Sequence, residues 1–339
     1  MNQLFMYRHR ILVDDINLKK MKVEKGKRIL VTGSHGLIGS ALIPLLTSVG
    51  EHRITRLTRG LVDKNTSHHS DKNSVKSAEI IHWDLEAERV NHNNLENFDI
   101  VIHLAGENIF GRWTETKKQR IRDSRIKSTS LLSESLSKLS HPPSLLICAS
   151  AIGYYGNRPN ETLTEDNSQG NGFLPDVCKQ WEDSTKVAAD AGIRVVNTRF
   201  GVVLSPKDGM LQKILPSFKL GLGISIGNKE QYFNWVSIED VIKSIFYLIV
   251  STSIRGPVNI VSPSAVTNME FSNILKKIFN PRLSFSINPE ITKMIFGQMS
   301  DELLSINSHV LPKRLLNDGY KFVNPDLEDT LRFLVGKLV

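Results

Sequence analysis

The strongest chemical signal in the chain is a run of three glycines spaced three apart, in Val31-Thr32-Gly33-Ser34-His35-Gly36-Leu37-Ile38-Gly39. This is the spacing a dinucleotide pyrophosphate requires at a strand-to-helix turn. Gly33 permits the tight turn off the strand, Gly36 leaves room for main-chain N–H groups to approach the phosphates, and Gly39 lets the helix pack close to the strand. The helix N-terminus adds the partial positive charge that holds the anion. Gly33, Ser34, His35, Gly36, Leu37, Ile38 and Gly39 are therefore the candidate cradle. An NAD site places an acid about 20 residues further on, where it accepts from the ribose 2′-hydroxyl. Here that place holds Arg56-Leu57-Thr58-Arg59-Gly60, two guanidinium groups and no carboxylate. Guanidinium attracts a 2′-phosphate through charge-assisted hydrogen bonds, so NADP(H) is expected over NAD(H). Arg59, leaving the strand end, is the better candidate, and Arg56 is expected to face solvent. Asp84, after the third apolar run, either meets the adenine amino group or caps a turn. Leu104-Ala105-Gly106 closes the fourth run, where small residues let a cofactor lie close to the backbone.

Those residues need strands and helices in alternation, and the apolar pattern supplies them. Short apolar runs at 27–32, 54–57, 80–83, 99–104, 145–149 and 194–199 read as strands. Those at 99–104 and 145–149 are apolar throughout, as in a parallel sheet buried on both faces. Helical patterns fall at 37–49, with Gly50 as the stop, at 114–139, and at 176–191 before Gly192. Strand and helix alternate to about residue 204, which predicts an α/β, Rossmann-type doubly wound parallel sheet. After Gly201, glycines and prolines punctuate the chain, with helices expected at 238–251, 268–279, 289–304 and 325–337. The expected organisation is a basic leader over 1–26 outside the fold, a dinucleotide-binding domain over 27–204, a smaller substrate lobe over 205–285 with segments returning to the sheet, and a short C-terminal domain over 286–339.

Composition excludes several classes. The net charge is +8, but eight of the basic residues and only three acids lie in residues 1–28, so the body is near neutral and offers no nucleic-acid groove. Two cysteines, Cys148 and Cys178, make no disulfide framework and fit a reducing compartment. No apolar run reaches the roughly 18 residues of a membrane span, and the N-terminus lacks a signal-peptide core. A cytoplasmic protein is expected, without metal: His68 and His69 in the polar stretch 60–78 have no third ligand at useful spacing.

Gly33–Gly39, the Leu104-Ala105-Gly106-Glu107 run and Ser150–Gly156 resemble the extended short-chain dehydrogenase/reductase superfamily. Arg112-Trp113-Thr114, Ser124-Arg125, Gly153-Tyr154-Tyr155-Gly156, Arg199-Phe200-Gly201-Val202-Val203-Leu204, Gly221-Leu222-Gly223 and Leu311-Pro312-Lys313-Arg314-Leu315 resemble its atypical "epimerase family protein" branch more closely. The last motif is similar to the short C-terminal domain of unknown function in that branch. The likeness covers about residues 27–337 and implies an NADP(H)-dependent oxidoreductase or a nucleotide-sugar-epimerase-like protein acting on a small molecule, as a monomer or homodimer.

Such enzymes exchange the substrate proton through a Tyr whose pKa a Lys lowers, in Tyr-x-x-x-Lys on one helix face. Aligned on Glu182, Leu174 stands at the Tyr position and Cys178 at the Lys position, so the pair is missing. Lys179 is one residue off, turned by about 100° around the helix. The remaining catalytic candidates are Ser150, as a donor to a substrate carbonyl, Tyr155, as a displaced acid/base or a pocket wall, and Lys179, curling toward the ribose. Arg125 stands where related proteins carry a backbone-shaping Asn and is read as structural. Glu107 and Arg112 belong at the carboxyl end of the sheet, where ligands bind. With Trp113, Tyr154, Met210 and Trp235 they are the candidate substrate pocket, ordinary packing being the alternative for each. A cofactor-binding regulator that has lost its chemistry is the competing reading.

Overall fold

A computed structural model describes residue 9 and residues 26–60, 79–85, 90–225, 228–287, 289–304 and 306–337. Apart from residue 9, the leader before Gly26 falls outside the described residues, as does the His68–His69 stretch. Strands β1 (Arg28–Thr32), β2 (Arg53–Arg59), β3 (Glu79–Trp83), β4 (Ile100–His103) and β5 (Leu145–Ala151) are followed by β6 (Arg158–Leu163), β7 (Arg194–Phe200) and β8 (Val202–Leu204). Then come β9 (Leu222–Ser225), β10 (Tyr232–Phe233), β11 (Trp235–Ser237), β12 (Gly256–Ile260), β13 (Val266–Thr267), β14 (Leu283–Ser286) and β15 (Ser308–Val310). The helices are α1 (Leu37–Val49), α2 (Glu115–Ser137), α3 (Phe173–Asp183), α4 (Lys186–Asp190), α5 (Gly209–Lys219), α6 (Ile238–Val250), α7 (Asn268–Phe279), α8 (Pro289–Phe296), α9 (Lys313–Asn317) and α10 (Leu327–Val335).

Seven strands form one parallel sheet in the order β12-β7-β5-β4-β1-β2-β3. The chain winds outward from β1 to β3, then returns to β4 and winds the other way, so the order reverses between β1 and β4. In an open α/β sheet the ligand crevice lies outside the strand ends at such a reversal. Helices α1 and α6 pack together over one face, and α2, α3 and α4 over the other. Ile29, Val31, Ile102 and Ile147 bury into the first layer, Leu30, Val101 and Leu146 into the second. Two-sided burial is why these strands read as unbroken apolar runs. A third core, with Leu211, Phe218, Phe271 and Leu331, joins α5, α7 and α10 in a lobe beside the sheet. No helix among the described residues is long and apolar enough to cross a membrane.

Two expected helices differ and one helix was not expected. The pattern at 176–191 is two helices: Thr185 Oγ1 donates back to the Glu182 carbonyl (2.6 Å) and Ser184 Oγ to that of Gln180 (2.8 Å), which turns the chain between α3 and α4. The stretch 289–304 ends as α8 at Phe296, because Gly297 adopts φ +58°, and resumes as a π turn over Ser300–Leu304. Helix α5, at 209–219, escapes the sequence reading because Gly209 and Pro216 look like breakers there.

Candidate functional site

The turn between β1 and α1 is built around close backbone approach. Gly33 has φ +66°, and a Cβ there would sit 2.6 Å from the Leu104 carbonyl group. A Cβ on Gly39 would lie 2.4 Å from the Gly33 oxygen and 2.8 Å from Ser34 Cα. Both are contacts with main chain, which cannot step aside. Gly36 is the N-cap of α1, with no side-chain cap and no acid in the first turn. Its N–H closes the turn on Gly33 (3.0 Å), while the residue itself is exposed. The first-turn amides thus meet no capping side chain, the arrangement that receives an anion.

The facing wall is held by buried polar contacts. Thr32 Oγ1 accepts from the N–H groups of Leu104 (3.1 Å) and Ala105 (3.2 Å) and shares a hydrogen bond with His103 Nδ1 (2.7 Å). His103 Nε2 in turn meets Ser128 Oγ on α2 at 3.2 Å. Burial pushes His103 down to about 4, so the ring is neutral at physiological pH and ties β1, β4 and α2 together. Beyond it, Arg125 Nη2 donates to the Glu107 carbonyl (3.0 Å), and its guanidinium lies 3.4 Å from where a Gly106 Cβ would be. The expected backbone-shaping role of Arg125 fits these contacts. Glu107 is held below the usual carboxylate range by a hydrogen bond from Lys117 (2.8 Å), with Arg120 and Arg59 adding positive charge.

Arg59 is exposed at the end of β2. Arg56 departs from expectation. It is half-buried rather than solvated, with Nη1 3.5 Å from His35 Nε2 of the glycine turn and a buried Nε that has no partner among the described residues. A buried, unsatisfied guanidinium nitrogen beside an anion cradle is a feature the strand pattern could not reveal. Asp84 is half-buried just after β3.

The three catalytic candidates all have partners within the chain. Ser150 is buried, and its Oγ donates to Glu182 Oε1 (2.7 Å), so the proton expected for a substrate carbonyl is already committed. Tyr155 is fully buried. Its hydroxyl donates to Asn259 Oδ1 (2.8 Å) and accepts from Arg199 Nη1 (2.9 Å), and burial pushes it up to about 12, with Arg199 acting in the opposite sense. Both hydrogen bonds of the hydroxyl are made within the chain, which speaks against the acid/base alternative for Tyr155. Lys179 pairs along α3 with Asp183 instead of curling toward a ribose. Leu174 and Cys178, at the Tyr and Lys positions, are buried against Gly153, and burial pushes the Cys178 thiol up to about 12.

Sequence reasoning missed what joins these groups. Arg199 Nε and Nη2 donate to both oxygens of Glu182 (2.7 and 2.8 Å), and its Cζ lies 3.5 Å over the Tyr154 ring. Asn259 continues the chain, donating from Nδ2 to the Leu311 carbonyl (2.9 Å) and from its N–H to Glu165 Oε1 (3.0 Å). Arg199 appeared only inside a family-like motif and Asn259 not at all. Nothing short of the β5–β7–β12 register brings Ser150, Arg199 and Asn259 side by side.

Of the expected pocket residues, Trp235 is buried in the lobe core with Nε1 donating to the Ser264 carbonyl (3.2 Å). Trp113 is buried edge-on to Phe173, with Nε1 on the Ile109 carbonyl (2.7 Å). Both rings are buried with the indole N–H satisfied internally, which favours the packing alternative for each. Met210 packs half-buried on the lobe core. Glu107 and Arg112 lie in the loop after β4, Arg112 exposed.

A doubly wound sheet with a glycine turn at its reversal defines a Rossmann-type dinucleotide-binding fold. More narrowly, residues 29–260 match the NAD dependent epimerase/dehydratase family, and the chain belongs to that family. Residues 291–334 match a domain of unknown function. An epimerase family protein of Mycobacterium bovis is 35% identical over 306 residues, 90% of this chain and 96% of that protein. The crystal structure of human epimerase family protein SDR39U1 with NADPH superposes with a TM-score of 0.79 at 28% identity, over 92% of this chain and all of that one. A nucleoside-diphosphate sugar epimerase from Corynebacterium glutamicum gives a TM-score of 0.78 at 29% identity over 98% of this chain, which spans 64% of that chain.

Proposed function

We propose that this protein binds NADP(H) and works as an oxidoreductase or epimerase-like enzyme on a small molecule, with an active site that does without the Tyr-x-x-x-Lys pair. The observation that carries the cofactor half is the glycine turn with its uncapped first-turn amides and, beside it, a buried Arg56 Nε that has no partner among the described residues. Gly33–Gly39 would hold the pyrophosphate, Arg59 and Arg56 the 2′-phosphate, and Leu104–Gly106 the ribose side, with Asp84 near the adenine. The NADPH complex of the human relative supports the same preference. When bound, the dinucleotide supplies a hydride donor or acceptor. The chain's own part is to orient it and exclude water. The reading extends to a cytoplasmic monomer or homodimer with no nucleic-acid or membrane partner.

A second reading, a catalytically silent NADPH-binding regulator, is favoured by one specific observation: the hydroxyls of Ser150 and Tyr155 and the amine of Lys179 are all bound internally. Incubation of the pure protein with NADPH and a panel of aldehydes and ketones, with product detection by mass spectrometry, separates the two. Reduction of any panel member supports the enzyme. Tight NADPH binding with no turnover supports the regulator.

A further inference from the structure

The loop after β4 and the lobe helix α5 meet beside the start of α1. Gly209, the first residue of α5, lies against the first residue of α1: a Cβ there would be 3.7 Å from Leu37 Cδ2. One turn further along α5, Lys213 places Nζ 3.5 Å from the ring centroid of Phe110 in the β4 loop. Phe110 is 43% exposed, and its other neighbour is Phe296 of α8, with ring centroids 5.4 Å apart. Lys213 has no carboxylate partner among the described residues, whereas Lys117, Lys118 and Lys179 all have one. Exposed Arg112 stands two residues beyond Phe110, and the loop's one acid, Glu107, is taken by Lys117.

We propose that Lys213 anchors an anionic group of the substrate, and that the substrate is a small carboxylate whose apolar body lies against Phe110. The inference rests on the oxidoreductase reading for the carbonyl it would present, but the anchor itself is read from this corner alone. A cation stacked on an aromatic ring is attracted by it yet keeps its remaining N–H donors free for an anion. A single ammonium matches a monoanion, and the two phenyl rings give an apolar body a surface to lie on.

The test uses a matched pair of ketones, phenylpyruvate and its neutral counterpart phenylacetone. Each is titrated calorimetrically into the full chain loaded with NADP⁺, with NADP⁺ binding recorded first in the same cell. The acid is expected to bind about tenfold or more tightly than the neutral ketone, the size of one charge-assisted hydrogen bond. The exposed-site variant Lys213→Met should bind the two equally, and Phe110→Ala should weaken both alike. Equal affinity in the native protein, an unchanged preference in Lys213→Met, or no binding of either ketone would overturn the anchor. Absence of NADP⁺ binding in the first step would overturn the cofactor reading instead, and the ketone titration still reports on Lys213.

Discussion

Arg199 and Glu182 form a buried, two-pronged ion pair at 2.7 and 2.8 Å directly behind Ser150. Burial works against the Arg199 charge, but the Glu182 carboxylate more than offsets it and holds the guanidinium charged. Removing one partner of such a pair leaves an uncompensated charge and typically costs about 3–5 kcal/mol. Arg199→Met and Glu182→Leu should each unfold at markedly lower urea. The double variant should be more stable than either single one, because neither charge is then stranded. Urea midpoints of the four proteins check this. Additive losses would show that the two do not act as a pair.

If Tyr155 is structural, Tyr155→Phe should lower stability by about 1–3 kcal/mol, the cost of leaving Arg199 and Asn259 unsatisfied. NADPH affinity, and any turnover found, should survive within a few fold. A large kcat loss at unchanged stability would restore Tyr155 as an acid/base group.

The glycine turn sets a sharper demand. Gly39→Ala places a methyl 2.4 Å from the Gly33 oxygen, and Gly33→Ala combines a 2.6 Å clash with a positive φ. Backbone strain of this kind costs of order 1–3 kcal/mol per site, and here it also moves the amides of the cradle. Both variants should lose NADPH binding by more than they lose stability, measured by calorimetry beside thermal melts. Gly36→Ala, whose Cβ would stand 3.3 Å from the Gly33 oxygen, should be milder for the fold.

His103 predicts an acid limb in stability. Its folded pKa, about 4, lies below the ordinary value of 6.5. Above pH 6.5 both folded and unfolded chains hold the ring neutral, and its contribution is fully present. Between 6.5 and about 4 only the unfolded chain takes up the proton, so stability falls as pH falls, by on the order of 3 kcal/mol in total. Chemical denaturation from pH 7 to 4 should show this one-proton slope, and His103→Gln should flatten it. An unchanged slope in the variant would mean the ring is not what titrates.

Much of this architecture is legible in the residues themselves. Helix α1 falls where its apolar period and the Gly50 stop place it, and α7 falls at 268–279 as expected, opened by a Thr267–Glu270 capping box. The Rossmann sheet follows from apolar runs that two-sided burial makes continuous. Strand β12 is harder to see, since Gly256 and Pro257 open it and only its end is apolar. The site divides in the same way. The cradle is local in sequence and can be read from glycine spacing. The Ser150–Glu182–Arg199–Tyr155–Asn259 chain spans more than a hundred residues, and its members become neighbours only through strand register. Arg56 shows the same limit: alternation along β2 says which face it takes, but not that His35 waits there.

The glycine turn, Arg56 and Arg59 together make the proposed NADP(H) site. Calorimetric titration of the pure full chain with NADPH and with NADH tests it most directly. NADPH should bind at least about tenfold more tightly, and Arg59→Ala or Arg56→Ala should narrow that gap, each charged contact to the 2′-phosphate contributing roughly 1.5–3 kcal/mol. Equal affinity for the two dinucleotides would contradict the phosphate assignment, and no heat from either would contradict the account as a whole.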